Sequence, residues 1–356
     1  MSHALQLARR GMYTTHPNPR VGCVIVKHDE IIAEGWHRFT GEAHAEIAAL
    51  NSAGQLANGA DCYVTLEPCV HTGNTPPCTD ALIKAGIKRL VAATTDPNPV
   101  VSGKGLEALQ AAGIITETGL LQQQSQQLNA GFEKRMRYGR PFVRCKLAMS
   151  LDGRTAMAEG ESKWITTEKA RRDVQKFRAQ SAAIMTGADT VLADDPALNV
   201  REFTDRQPLR VILDRQLRIP ADARLLSLPG EIKIFTTSED GDRKNKLANE
   251  QVEIITIKSS SGQDFLKQVV TTLAGRFAIN EVLLESGPKL AGNMLTAGLV
   301  DEIIIYMAPV LMGHRAQSLF ELTGIETMED KLSLKVMDIR KVGEDIRFII
   351  KPATDG

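Results

Sequence analysis

The chain has 356 residues, with 43 lysines and arginines balanced by 43 aspartates and glutamates. That length exceeds one hydrophobic core and points to two domains of about 150 to 200 residues. Charge balance removes the reason to expect nucleic acid or an anionic membrane surface as the main ligand, and a small polar molecule fits better.

The N-terminal stretch MSHALQLARRGMYTTHPNP carries Arg9 and Arg10 with no apolar segment behind them. The longest near-apolar run, Ile303 to Gly313, falls far short of the roughly 20 residues of a bilayer crossing. A cytoplasmic protein is expected, in which five cysteines stay reduced. Cys23, Cys62 and Cys145 lie in apolar runs and read as buried small residues.

In chain order, a helix near Ala4 to Arg10 leads to a hairpin, VGCVIV and IIAEGW. A helix from about Ala45 to Ser52, a strand CYVTL, a helix from about Thr79 to Ala85, a strand RLVAAT, a helix near Leu106 to Ala111 and a strand IITET follow. This alternation predicts a sheet with helices on both faces. A polar helical stretch, LQQQSQQLNAGFEKRMR, ends at YGRPF, where Gly139 and Pro141 mark the boundary, giving domains 1–141 and 142–356. A second α/β alternation begins with VRCKLAMSL and closes on an antiparallel pair, LKVMDIRKV and IRFIIKP.

The segment TLEPCVHTGNTPPC sets Cys69 and Cys78 nine positions apart on a proline-stiffened loop. Reduced thiols favour a metal over a disulfide there. Zinc that activates water takes three protein ligands and keeps one position open. Two are Cys69 and Cys78, and the third is a histidine, with His44 and His71 as candidates. His44 opens a helix two residues before Glu46, so the first turn lets both approach one site with Glu46 acting on water rather than on the metal. Cys78 also stands at a helix start, which favours the thiolate.

His44-Ala45-Glu46 followed by T-L-E-P-C and P-P-C resembles the pattern of the zinc-dependent cytidine deaminase superfamily. The wider set THPNPRVGCVIV, GEAHAEIAAL, YVTLEPCVHTGNTPPCTDALI and DPNPVVSGKGLEALQAAGI resembles the bacterial bifunctional riboflavin-biosynthesis deaminase/reductase family, almost end to end. The resemblance implies an N-terminal cytidine-deaminase-like α/β/α sandwich and a C-terminal dihydrofolate-reductase-like α/β domain. It makes His44, Cys69 and Cys78 the zinc ligands and Glu46 the proton carrier. It turns His71 and Asn74 toward a phosphoribosylated pyrimidine, with Asn18 also near substrate, although Pro17-Asn18-Pro19 is equally an ordinary turn. Gly103, Gly105 and Ala108 in SGKGLEAL imitate a dinucleotide fingerprint, but no strand precedes them, and they read as a helix start.

The second half carries no Walker loop, no G-x-S-x-G and no strand-borne G-x-G-x-x-G. Its local signal is EVLLESGPKLAGNML, a strand, a Gly287-Pro288 turn and a helix, suited either to phosphate binding or to plain packing. KLAMSLDGRTA, GESKWIT, TGADTVLADDPALNVR and ESGPKLAG are similar to the family's reductase half, which uses NADPH. Matched positions imply that Ala148, Trp164, Thr190, Asp194, Ser286, Gly287 and Pro288 contact the cofactor, and that Ser162, Leu198, Arg201 and Glu285 face the substrate. Arg201 suits the substrate phosphate. The implied chemistry is hydrolytic deamination of 2,5-diamino-6-(5-phosphoribosylamino)pyrimidin-4(3H)-one, then NADPH-dependent reduction of the ribosyl group to ribityl, by a homo-oligomer. A nucleic-acid deaminase shares the metal motif but calls for a basic face. A zinc-stabilised binding module leaves Glu46 without a task.

Overall fold

A computed structural model describes residues 1–70 and 76–353. His71 and Asn74 lie outside the described residues. The chain divides into two compact units, Met1–Arg140 and Pro141–Gly356.

The first unit runs α1 (Ser2–Ala8), β1 (Gly22–Lys27), β2 (Glu30–Trp36), α2 (Ala45–Ala53), β3 (Asp61–Val64), α3 (Cys78–Lys84), β4 (Arg89–Ala92), α4 (Lys104–Ala111), β5 (Ile115–Thr118), α5 (Gln122–Leu128) and α6 (Ala130–Tyr138). Among the described residues its strands form one sheet in the order β2-β1-β3-β4-β5. β1 pairs antiparallel with β2 and β3, whereas β3, β4 and β5 are parallel. Apolar side chains of β1, β3 and β4 meet the alanine-rich face of α2 and Leu82 of α3 in the core. Small residues are needed there: a β-carbon on Gly35 of β2 would lie 2.2 Å from the Ala45 carbonyl oxygen. That close approach seats the first turn of α2 against the sheet. Cys23 and Cys62 are fully buried, as their apolar surroundings predict.

The polar stretch after residue 120 is helical, as expected, and forms two helices. It breaks between α5 and α6 at Asn129, whose side-chain amide accepts from the Arg20 backbone N–H (2.8 Å) and donates to the Arg20 carbonyl (2.9 Å). A long-range pairing that satisfies both buried backbone groups outweighs helix continuity.

The second unit runs β6 (Phe142–Ser150), β7 (Arg154–Ala156), α7 (Glu168–Gln180), β8 (Ala183–Gly187), α8 (Ala188–Asp194), β9 (Leu209–Leu213), α9 (Arg224–Ser227), β10 (Ile232–Thr236), α10 (Gly241–Leu247), β11 (Val252–Thr256), α11 (Gly262–Phe277), β12 (Glu281–Glu285), α12 (Pro288–Thr296), β13 (Glu302–Ala308), β14 (Gln317–Ser318), β15 (Leu334–Val342) and β16 (Asp345–Pro352). Among the described residues the main sheet has the order β11-β10-β9-β8-β12-β6-β13-β16-β15. It is parallel from β11 to β13, and β16 and β15 add antiparallel at one edge. Central β12 reads as an unbroken apolar run because both its faces are covered: Val282 and Leu284 join one core cluster and Leu283 the other. This topology brings the carboxyl ends of β8, β9, β10 and β12 to one edge, where open α/β sheets bind ligands.

Candidate metal centre and cofactor cleft

In the first unit, His44 is the N-cap of α2 and Cys78 the first residue of α3, while Cys69 lies on the segment after β3. His44 Nδ1 lies 3.2 Å from Cys78 Sγ and 3.6 Å from Cys69 Sγ. One ligand atom from each residue falls within 4.8 Å of the others. One imidazole nitrogen and two sulfurs at helix starts form a donor set that fits zinc with a position left open. The Cys78 backbone N–H donates to Cys69 Sγ (3.4 Å) and Thr79 N–H donates to the Cys69 carbonyl (3.3 Å), so α3 grips the cysteine that precedes it.

The electrostatics of this cluster are uneven. Hydrogen bonding with Cys78, aided by His44, brings the Cys69 thiol down to about 4. Cys78 is pushed up by its hydrogen bond with Cys69, by burial and by Glu46. Cysteine ligands bind metal as thiolates, so metal binding at this cluster displaces thiol protons. Glu46 is 4 % exposed, and burial raises its carboxyl to about 7. A carboxyl that exchanges protons near neutrality suits a proton shuttle.

His37, not singled out in the sequence, organises the neighbouring wall. Its Nδ1 meets the Ala43 carbonyl (3.2 Å), its Nε2 meets the Asn18 amide nitrogen (3.1 Å), and its ring packs edge-on to His44 at 5.5 Å. Asn18 is thereby held to the histidine whose ring packs against His44. A lone histidine between Trp36 and Arg38 gives no sequence signal of this role.

In the second unit, Glu285 ends β12 and is paired bidentately with Arg178 of α7 at 2.6 and 2.9 Å. Lys146 of β6 lies 3.9 Å away, and Arg201 adds its charge to the same carboxylate. Burial lowers the Lys146 ammonium, and Glu285 opposes that shift. Arg178 and Lys146 were missed in the sequence, though a lysine inside the apolar run VRCKLAMSL was a usable signal. Ser162 donates to Asp194 (3.1 Å), and the Gly287 N–H donates to the Thr190 hydroxyl (3.2 Å), so α8 joins two segments far apart in the chain. Ala148 accepts from Thr155 (3.0 Å). Trp164 is 70 % exposed beneath the Arg171 guanidinium, which places it outside the core. Arg201 is exposed, with its backbone N–H held by Gln175.

Leu198 is 3 % exposed and packs with Ile184, Val191 and Leu217 in a core cluster.

A cavity of about 690 Å³ opens at the carboxyl ends of β8, β9 and β10, lined by Arg215, Arg218, Lys289, Thr237, Gly262 and Asn293 among others. α12 begins at Gly287 with no side-chain cap, and a β-carbon there would meet nothing within 4 Å. Arg215 and Lys289, with Arg218 paired to Asp189, give this cavity a cationic wall that fits the phosphates of a dinucleotide such as NADPH.

Residues 1–94 match the family model described as cytidine and deoxycytidylate deaminase zinc-binding region, and residues 141–348 match the RibD C-terminal domain. The chain is 51 % identical to riboflavin biosynthesis protein RibD of Escherichia coli K12, over 97 % of this chain and 96 % of that one. The chain belongs to the RibD family. Acinetobacter baumannii RibD has the same fold at a TM-score of 0.92 and 45 % identity, covering 99 % of this chain and 98 % of that one. The Thermotoga maritima diaminohydroxyphosphoribosylaminopyrimidine deaminase/5-amino-6-(5-phosphoribosylamino)uracil reductase gives 0.89 and 35 %, covering 99 % and 97 %. The RibD fold thus spans both units of this chain, with zinc and NADPH as its cofactors.

Proposed function

We propose that this chain performs the two RibD reactions at the two sites just described, with the division of labour near residue 141. It is a bifunctional deaminase and reductase of riboflavin biosynthesis, and its substrate is a phosphoribosylated pyrimidine. The observation that carries the residue assignment is the convergence of His44, Cys69 and Cys78 beside the buried carboxyl of Glu46.

In the first reaction, 2,5-diamino-6-(5-phosphoribosylamino)pyrimidin-4(3H)-one loses ammonia to give the aminouracil. His44, Cys69 and Cys78 would hold zinc, which when bound lowers the pKa of water enough for attack near neutral pH. Glu46 accepts the proton at its carboxylate as oxygen adds to the amino-bearing carbon, and returns it to the departing nitrogen. Asn18, held by His37, offers its amide oxygen to a donor on the pyrimidine. The family resemblance assigns His71 and Asn74 to substrate binding in this reading.

In the second reaction the ribosyl group is reduced. NADPH, when bound, supplies hydride to C1′, and a proton must reach the ring oxygen as its bond to C1′ opens. Lys146, whose Nζ lies 3.9 Å from Glu285 and whose ammonium is weakened by burial, is the candidate donor of that proton. Glu285, fixed by Arg178, receives substrate hydroxyls, with Ser162 and the Leu198 backbone alongside. Arg201 binds the substrate phosphate. Ala148, Trp164, Thr190, Asp194 and the Ser286-Gly287-Pro288 turn hold the nicotinamide half and its phosphates. Arg215 and Arg218 receive the phosphate that distinguishes NADPH from NADH.

Balanced charge supports a small-molecule enzyme without nucleic-acid or membrane partners. Among the described residues no helix is long and apolar enough to cross a membrane. A cytoplasmic setting agrees with a site that needs Cys69 and Cys78 as thiolates. Homo-oligomer formation is supported by edge strand β15, which exposes Val336, Met337 and Ile339. The deciding experiment gives the purified chain the diaminopyrimidine and follows ammonia and NADPH absorbance together. Both must change, with ammonia first, for the reading to stand.

A further inference from the structure

The strand-to-loop residue Glu67 is 3 % exposed, and its carboxylate is spent on backbone N–H groups rather than on a cation. Oε2 accepts from Asp96 N–H (3.0 Å) and Gly103 N–H (2.9 Å), and Oε1 accepts from Gly105 N–H (2.8 Å) and Leu106 N–H (3.4 Å). Three of these donors belong to the first turn of α4, which has no cap of its own. The SGKG segment that imitates a nucleotide fingerprint is therefore an anion cradle occupied by an internal carboxylate. Such a cradle combines unpaired N–H groups with the positive end of the helix.

Glu67 stands two residues before Cys69. Gly105 explains how α4 comes so near: a β-carbon on it would lie 2.2 Å from the Pro68 carbonyl oxygen. The backbone of Glu67 is tied to the Thr94 carbonyl (3.0 Å), and Cys69 is tied to α3 from its other side. Cys69 thus sits at the end of a short segment clamped at both ends, by α4 through Glu67 and by α3.

We infer that Glu67 is a positioning residue for the metal: with the start of α4 it fixes Pro68 and Cys69 so that the Cys69 sulfur is held in ligand geometry before metal arrives. Preorganisation of this kind lowers the rate of metal loss, since a thiolate that detaches is returned to the same place. The inference rests on the metal assignment above, and the tests separate the two. A native chain without tightly held zinc, or a Cys69→Ser chain that keeps it, would defeat the metal assignment itself.

The test is the full-length Glu67→Gln variant, in which an amide NH2 replaces one acceptor oxygen and faces N–H donors. Zinc transfer to a competing chelator should run roughly 10 to 100 times faster than in the native chain. In cobalt-loaded protein the sulfur-to-cobalt absorption should weaken or shift. Deamination should lose kcat with little change in KM, and reductase activity should persist as proof that the second unit is intact. Gly105→Ala, which keeps the carboxylate but pushes on Pro68, should move zinc transfer and the cobalt spectrum in the same direction, and Glu67→Asp should partly restore both. Folded Glu67→Gln protein with native zinc transfer and a native cobalt spectrum would overturn the inference. So would a first unit that is unfolded with and without zinc in both Glu67→Gln and Glu67→Asp, because Glu67 would then serve the fold rather than the metal.

Discussion

Arg178 and Glu285 come from a helix and a strand 107 positions apart in the chain, and they meet through two hydrogen bonds of 2.6 and 2.9 Å at the carboxyl end of central strand β12. Burial alone would raise the Glu285 carboxyl, yet Arg178 and Lys146 outweigh it and hold it down to about 2. Glu285 is therefore held as a carboxylate near neutral pH, which in the proposed reduction makes it an acceptor and leaves the proton to another group.

That pairing predicts an acid-sensitive share of stability. Because the folded value lies below the ordinary 4.5, the contribution is full above about pH 4.5 and fades as pH falls toward about 2. Its size is on the order of 3 kcal/mol, since each tenfold change in proton affinity is worth about 1.4 kcal/mol. Glu285→Gln should lower the urea midpoint of the second unit at pH 7, and the gap from the native chain should shrink between pH 5 and pH 3. A gap that stays constant with pH would show that the pair holds no such share.

Glu46→Gln and Cys69→Ser should fail in different ways. Glu46 is not among the three converging donors, so its amide variant should keep stoichiometric zinc and lose deamination by several orders of magnitude. Cys69→Ser should lose the metal itself, because an alcohol replaces a thiolate poorly. Metal analysis beside an ammonia assay checks both, and near-normal ammonia release from the zinc-loaded Glu46 variant is the result that removes Glu46 from the chemistry.

Coenzyme choice should reside in the cationic cavity. Arg215→Ala should raise the KM for NADPH about tenfold or more and leave the KM for NADH nearly unchanged, since only the former carries the extra phosphate. Initial rates with each coenzyme decide it. Equal loss with both would mean that Arg215 supports the cavity without reading the phosphate.

The two units should be separable. A fragment of residues 142–356 retains the whole nine-stranded sheet among the described residues, and it should fold and oxidise NADPH when given the deaminated aminouracil. It should release no ammonia from the diaminopyrimidine. In the full chain, Arg201→Ala should raise the reductase KM and spare deamination. A folded fragment without reductase activity would show that the second site is incomplete within that half.

The amino-acid sequence by itself determined the two-domain α/β fold class and the family, and it singled out the candidate metal-binding residues. These properties are local: His44 and Glu46 lie within one helical turn, Cys69 and Cys78 bracket one loop, and apolar periodicity follows the secondary structure it builds. The tertiary structure alone decided what joins those pieces. Nothing near Glu285 in sequence announces Arg178, nothing near Asn18 announces His37, and the glycines of SGKG became intelligible only once Glu67 was seen in their cradle. Leu198 shows the same limit from the other side, since a leucine on a loop carries no local sign of whether it faces a ligand or the core. Long-range pairings are selected by burial and by the need to satisfy every buried polar group, and those conditions exist only after distant segments have packed.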